Sequence, residues 1–323
     1  MTKRSKITLL AGGIVIVLGL IFCIVGSVMA NNAGDKLFAE KTDKGRVYTY
    51  EFDAGNVDRM TIDVSDAQVN IIGGSEKSYI EICNFDENYY TFNLSNRIVK
   101  LSESGDIQSA LRFWENGLTF KGMRYIFKFG APKGDKMVNV YLTDKDEVKN
   151  FTISCGKGSI SISDISTPTD YYLTLESGTV NMENITTDSI VSLSTTEAAD
   201  THINLKNITA TTLNMKSPKA DVKSEKLTVS GGAIDVTAGS VQMDYIPGAE
   251  YFAVNVSTGG KLTVNDTSYI DTYKFEKLPS AANTDENTSA NTSPESVPTL
   301  NITGKAPTVK LTGECFKNTK VEK

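Results

Sequence analysis

The sequence predicts an all-β protein whose body is a β-solenoid, right-handed β-helix-like, with rungs of about twenty residues, preceded by one N-terminal transmembrane helix. Three observations predict it. A long uncharged stretch opens the chain, a unit of about twenty residues repeats in its middle, and apolar residues alternate within each unit.

Residues 1–6 form a short basic tail with Lys3, Arg4 and Lys6 and no acid. Residues 7–30, from Ile7 to Ala30, carry no charged side chain. As a helix rising about 1.5 Å per residue they would span roughly 36 Å, against a hydrocarbon core of about 30 Å. Lys and Arg favour the cytoplasmic side, so the N-terminus is expected inside the cell and the rest of the chain outside, at a bacterial cell membrane. The other reading is a secreted protein, with cleavage after Val28-Met29-Ala30; the apolar stretch is longer than the roughly 7–15 residues usual for a signal peptide. Gly12, Gly19 and Gly26 recur every seven residues and suit either close helix packing or plain tolerance in lipid. Residues 31–50 read as a juxtamembrane linker.

The main domain is expected over residues 51–278. Met60, Ile62 and Val64 alternate, and the phase restarts at Ala67, Val69 and Ile71, implying a turn at Ser65-Asp66 and another at Gly73-Gly74. The clearest signal follows. Phe151 to Ile165 (FTISCGKGSISISDI) and Tyr171 to Ile185 (YYLTLESGTVNMENI) align twenty apart, matching Phe151 to Tyr171, Ile153 to Leu173, Cys155 to Leu175, Gly158 to Gly178, Ile160 to Val180 and Ile165 to Ile185. Leu193 keeps that step, three residues are then gained before Ile203, Leu205 and Ile208, and Leu213 is read as a return to twenty. Asp164-Ile165-Ser166, Asn184-Ile185-Thr186 and Asn207-Ile208-Thr209 repeat as corners. Their Asp or Asn is expected to bond the local backbone while the isoleucine turns inward.

Apolar alternation of period two means strands with one buried face. Short strands of this kind cannot bury that face alone, and stacking successive coils both buries it and completes the backbone ladder. An antiparallel β-sandwich would alternate in the same way, but the fixed step favours stacked rungs. Looser rungs follow at Ile234 and Val236, Val241 and Met243, Val254 and Val256, and Leu262 and Val264. Residues 279–298 are rich in Ser, Thr, Asn and Ala and read as a disordered insert. Leu300, Ile302, Val309 and Leu311 resume the alternation, so residues 299–323 are expected to supply a last rung that closes the stack, and a tail.

The basic cap, the glycine-dotted apolar helix and rungs such as FTISCGKGSISI and LTLESGTVNM resemble the bacterial putative-adhesin family of membrane-anchored envelope proteins, a domain of unknown function. The resemblance covers about residues 50–270 and implies a β-solenoid, in a family whose members often sit beside envelope-stress genes. This chain departs from it in the hydroxyl-rich insert and in a lysine- and aromatic-rich stretch at 112–136.

That stretch carries the candidate binding surface. Tyr125, Phe127 and Phe129 would share one strand face, while Arg124 and Lys128, with Lys121 nearby, would offer cations to an anionic wall polymer or lipid headgroups; the plain reading is a core strand with solvated lysines. Enzymatic work would need carboxylates stacked at one position of neighbouring rungs. Equivalent outward positions carry Ser161, Asn181 and Asn204 instead, so no catalytic residue is assigned. His202 has outward parity and reads as a surface residue. Asp144, Asp146 and Glu147 lack the glycine and distal glutamate of an EF-hand and read as a polar turn.

No metal or cofactor is expected. Cys83, Cys155 and Cys315 are an odd three outside the apolar segment, with no C-x-x-C spacing, which argues against a disulfide framework. Beyond the basic tail, 30 basic residues face 39 acidic ones, a net charge of −9 that argues against nucleic acid as partner. The expected role is a non-catalytic envelope protein presenting a solenoid surface to another protein or to wall polymer, in adhesion or envelope-stress sensing. A polysaccharide-active β-helix enzyme and a structural spacer are the other readings.

Overall fold

The computed structural model describes residues 47–53, 57–85, 90–103, 135–143, 148–196, 200–277, 297–305 and 307–316. Nearly all belong to one compact unit made of Tyr48–Cys83, Tyr90–Glu103 and Asp135–Lys323; of the second unit only Val47, Asn84 and Phe85 are described. The apolar segment 7–30, the basic residues Lys121, Arg124 and Lys128, and Asp144, Asp146 and Glu147 lie outside the described residues, as does most of the 279–298 insert. Among the described residues, no helix is long and apolar enough to cross a membrane.

Among the described residues sixteen strands run in chain order: β1 Val47–Glu51, β2 Arg59–Ile72, β3 Tyr79–Cys83, β4 Tyr90–Ser95, β5 Ile98–Glu103, β6 Met137–Tyr141, β7 Asn150–Ile165, β8 Asp170–Thr186, β9 Ile190–Thr195, β10 Thr201–Pro247, β11 Phe252–Thr258, β12 Leu262–Val264, β13 Thr267–Tyr269, β14 Thr272–Lys277, β15 Thr299–Gly304 and β16 Thr308–Thr312. β1 begins inside the stretch read as linker, because the strand lies beside β3 and its Tyr48 and Tyr50 have ring partners in β4.

Successive rungs pair in parallel, which excludes the sandwich. β2 lies on β7, β7 on β8, β8 on β9 and on the start of β10. The twenty-residue step holds from Asn150↔Asp170 to Ile165↔Ile185, and the gain of three appears as Ile203↔Val180 and Leu205↔Met182. Leu213 does not return to a step of twenty. It pairs with Val191, and Met215 with Leu193, a step of twenty-two, because the three-residue gain is reduced by only one at the corner between Thr209 and Thr212.

Inside, each position becomes a ladder. Met60, Phe151, Tyr171, Val191 and Leu213 stack, as do Ile62, Ile153, Leu173, Leu193 and Met215, all essentially inaccessible to water. Each such side chain contributes about 1.5–3 kcal/mol of burial, and the rung above it completes what one coil leaves exposed.

The corners differ from expectation in how they are tied. Asp164, Asn184 and Asn207 adopt φ of 59°, 55° and 53°, and bond one another along the stack: Asn184 Nδ2 donates to Asp164 Oδ1 at 2.8 Å and Asn207 Nδ2 to Asn184 Oδ1 at 3.0 Å. The amide spans one rung spacing of about 4.8 Å better than it reaches its own backbone. Ser65-Asp66 is likewise a corner inside one rung, since β2 runs through it beside β7.

Both ends of the parallel stack are closed by antiparallel strands. At one end β5 and β6 lie parallel on β2 and carry β4 and β3 on their outer edges. At the other, β11 carries β14 and β12 carries β13. Tyr245, Phe252, Phe275 and Phe316 pack over that terminal core, with ring centroids 5.3–6.1 Å apart. The last strands in sequence are not the last rung. β15 and β16 lie between the end of β10 and the pair β11 and β12, parallel to both, and the backbone N–H of Ala253 already bonds the carbonyl of Pro298, within the segment read as insert.

Candidate functional site

Outward residues of a solenoid form rows one strand spacing apart, so side-chain chemistry repeats across the face. The two sheet faces use this differently.

On the face made by the second half of each rung, the rows are bonded to themselves. Asn204 Nδ2 donates to Asn181 Oδ1 at 2.9 Å, and Asn70 Nδ2 to Asn139 Oδ1 at 2.8 Å. Lys206 pairs with Glu183 at 2.5 Å, and Lys223 with Glu225 at 2.9 Å. The Glu183 carboxylate raises the Lys206 pKa, and Lys223 lowers that of Glu225. His202 is exposed on this face, as its parity requires.

On the first-half face two neighbouring rows are not bonded from rung to rung. Thr152, Tyr172 and Ser192 stand in register, and Ser154, Thr174 and Ser194 form the row beside them. These six carry hydroxyls and no charge. Thr152 Oγ1 donates to Asn150 Oδ1 at 2.9 Å, whereas the hydroxyls of Ser154, Tyr172, Thr174, Ser192 and Ser194 have no hydrogen-bond partner in the described chain. Tyr172 is 39% exposed at the centre of the field, an aromatic ring standing among short side chains. Thr61 and Asp63 border the field on one side and Asn214 and Lys216 on the other. Tyr172 is not among the residues the sequence singles out; its outward place between the inward Tyr171 and Leu173 is the signal that marks it.

Lys121, Arg124 and Lys128 lie outside the described residues. Of their stretch, Lys136 is described: its ammonium pairs with the Glu103 carboxylate, which also accepts from Ser65 N at 2.9 Å and Ser65 Oγ at 2.7 Å. Burial pushes the Glu103 pKa up, but Lys136 and Ser65 outweigh it and hold the carboxyl below its ordinary value. Glu103 and Lys136 thus bond to each other from either side of residues 104–134, which lie outside the described residues. Cys155 is a core residue whose thiol pKa is raised by burial. Among the described residues no group of three or more His, Cys, Asp or Glu is placed to hold a metal ion.

Solved structures that the chain matches include one described as a putative cell adhesion protein from Clostridium sporogenes, at 10% identity over 84% of this chain and 100% of that one, TM-score 0.32. Another is a putative adhesin from Parabacteroides merdae, at 13% identity over 83% and 96%, TM-score 0.32. A third is described as a putative lipid binding protein from Parabacteroides distasonis, at 11% identity over 84% and 95%, TM-score 0.33. No curated protein matches the chain. The sequence pattern of the Toastrack DUF4097 family matches residues 57–272, and the chain belongs to that family.

Proposed function

We propose that this is a non-catalytic cell-envelope protein, anchored in the membrane by residues 7–30 with its solenoid outside the cell, that binds an extended, uncharged polysaccharide along the face bearing Tyr172. The observation that carries the reading is the field of hydroxyls around an exposed tyrosine, those of Ser154, Thr174, Ser192 and Ser194 having no partner among the described residues. A sugar ring offers C–H groups that suit the negative face of an aromatic ring and hydroxyls that both donate and accept. Ser and Thr hydroxyls repeating every ~4.8 Å match a ligand whose own hydroxyls repeat. An uncharged field gives no attraction to an anionic polymer, so the neutral class is favoured. The lack of charge in residues 7–30, with Lys3, Arg4 and Lys6 before them, supports the anchor and its orientation.

The test is retention of the full chain, in detergent, on insoluble neutral and anionic wall polysaccharides. Replacing Tyr172 with Ala should weaken binding to the neutral polymer by about tenfold, the effect of losing roughly 1.4 kcal/mol, and leave the fold intact. Equal retention of both proteins, or preference for the anionic polymer, would sink the reading. Protease added to intact cells should digest the solenoid; full protection would refute the orientation.

A further inference from the structure

We infer that the C-terminal segment Val297–Phe316 is an exchangeable strand pair, which two copies of this chain insert reciprocally into one another's stack. The inference is independent of the polysaccharide reading and starts from the out-of-order rung.

The end of β10 and the pair β11 and β12 are consecutive in sequence, joined only by Gly248–Tyr251. Between them sit β15 and β16. Leu300 pairs with Gly232 on one side and Val254 on the other, and Ile302 with Ile234 and Val256. Val309 pairs with Val241 and Leu262, and Leu311 with Met243 and Leu262's neighbour Val264. All four inserted side chains are buried. The segment is therefore a rung hydrogen-bonded on both edges, slotted between two rungs that the chain connects directly.

The flanking rungs also match each other. Remove the inserted rung, and Val254 meets Gly232, Val256 meets Ile234, Leu262 meets Val241 and Val264 meets Met243, with inward residues facing inward throughout. The steps are twenty-two and twenty-one residues, and a step of twenty-two is already used where Thr212 stacks on Ile190. Four linking residues that now cross two strand spacings, roughly 10 Å, then cross one. A slot that can close when its strand leaves need not expose an unpaired edge, so withdrawal avoids the cost that holds an ordinary central strand in place.

The strand can also reach another copy. Nineteen residues separate Lys277 from Val297, a covalent reach of up to about 60 Å at ~3.3 Å per residue. A second copy presents a slot lined by the same residues in the same register, so every pairing made within one chain is remade between two, the condition under which exchanging an element makes dimers at low cost. Gly304 restricts the occupant further: a Cβ there would lie 2.0 Å from the Val236 carbonyl oxygen, so the slot accepts a strand with glycine at that position, as this chain's own has.

The experiment uses two full-length chains with different affinity tags, one carrying Asp235→Cys and the other Thr303→Cys, co-expressed and mildly oxidised. Asp235 and Thr303 are register partners and both are exposed, so the substitutions spare the core and place the thiols within disulfide reach only where β15 is seated in the slot. The expected result is a reductant-sensitive species of twice the chain mass that carries both tags and yields the 235–303 linked peptide. The single chain carrying both cysteines is the control. Closure of that control within one chain while the mixed pair gives no linked species would overturn the proposal. So would light scattering of the unmodified chain that finds one chain per micelle at every concentration.

Discussion

Gly178 lies above Gly158 in the stack with φ of +130° over +141°, and a Cβ on Gly178 would stand 2.0 Å from the Gly158 carbonyl oxygen. Two separate constraints meet there, a backbone region that only glycine enters cheaply and a rung spacing too tight for a side chain. The conformational part alone costs of the order of 1–3 kcal/mol for another residue, and the clash is with backbone that cannot move without shifting a rung. Gly178→Ala should therefore lose about 2–4 kcal/mol in urea unfolding. An unchanged midpoint would mean that the rungs part at this corner more easily than their ladder implies.

The Asn184 corner separates side chain from backbone. Asn184 holds φ of 55° and bonds both Asp164 and Asn207. Asn184→Ala should lose about 1–2 kcal/mol for the left-handed backbone, plus about 0.5–1.5 kcal/mol for each amide bond, at the low end because the site is exposed. Asn184→Gly should recover the backbone part and keep the rest of the loss. If glycine proves no better than alanine, the amide ladder alone sets the corner.

These corners were legible because they repeat. The rung from Phe151 to Ile165 and its partner from Tyr171 to Ile185 declare themselves through coincident apolar positions, and the same rule finds Ile203 over Val180 despite the three extra residues. Periodicity identifies equivalent positions, but it does not say which equivalent rungs touch. Val254 fits above Gly232 as well as Leu300 does, so the insertion of β15 leaves no mark in the pattern. The antiparallel caps escape for a related reason: β3, β4, β13 and β14 alternate like any strand, and their direction depends on which edge they must close. At the candidate site, short hydroxyl side chains such as Ser154 and Ser194 carry no signal until stacking brings them into rows around Tyr172.

Glu103 predicts a pH dependence with a definite sign. Its carboxyl is held below the ordinary value by Lys136 and Ser65 against the opposing effect of burial. A group whose folded pKa lies below its unfolded one stabilises fully above the unfolded value, about 4.3 for glutamate, and that contribution fades as pH falls through the folded value. Glu103→Gln should lower stability at pH 7 and flatten its acid limb below about pH 5. Stability curves that stay parallel from pH 7 to pH 3 would show that the carboxylate gains nothing from its partners.

Cys315 gives the opposite slope and reports on the C-terminal turn. Burial is the main cause that pushes its thiol up to about 11, with the Asp244 carboxylate of the adjoining rung adding to it and backbone N–H groups of Cys315 and Phe316 opposing. At pH 8.5 an ordinary thiol is about half ionised, whereas this one is roughly 0.3% thiolate by the same titration law. Alkylation of Cys315 in the folded protein should thus run about a hundredfold slower than in the denatured chain. Because the folded pKa lies above the unfolded one, stability should fall as pH climbs from about 8.5 towards 11, and Cys315→Ser should remove that decline. Asp244→Asn should speed alkylation at pH 8.5 by withdrawing the negative charge. Residue-specific mass spectrometry of the alkylated protein measures both rates, and a Cys315 that reacts as fast folded as unfolded would show that Phe316 does not seal the end of the core between Tyr245 and Phe275.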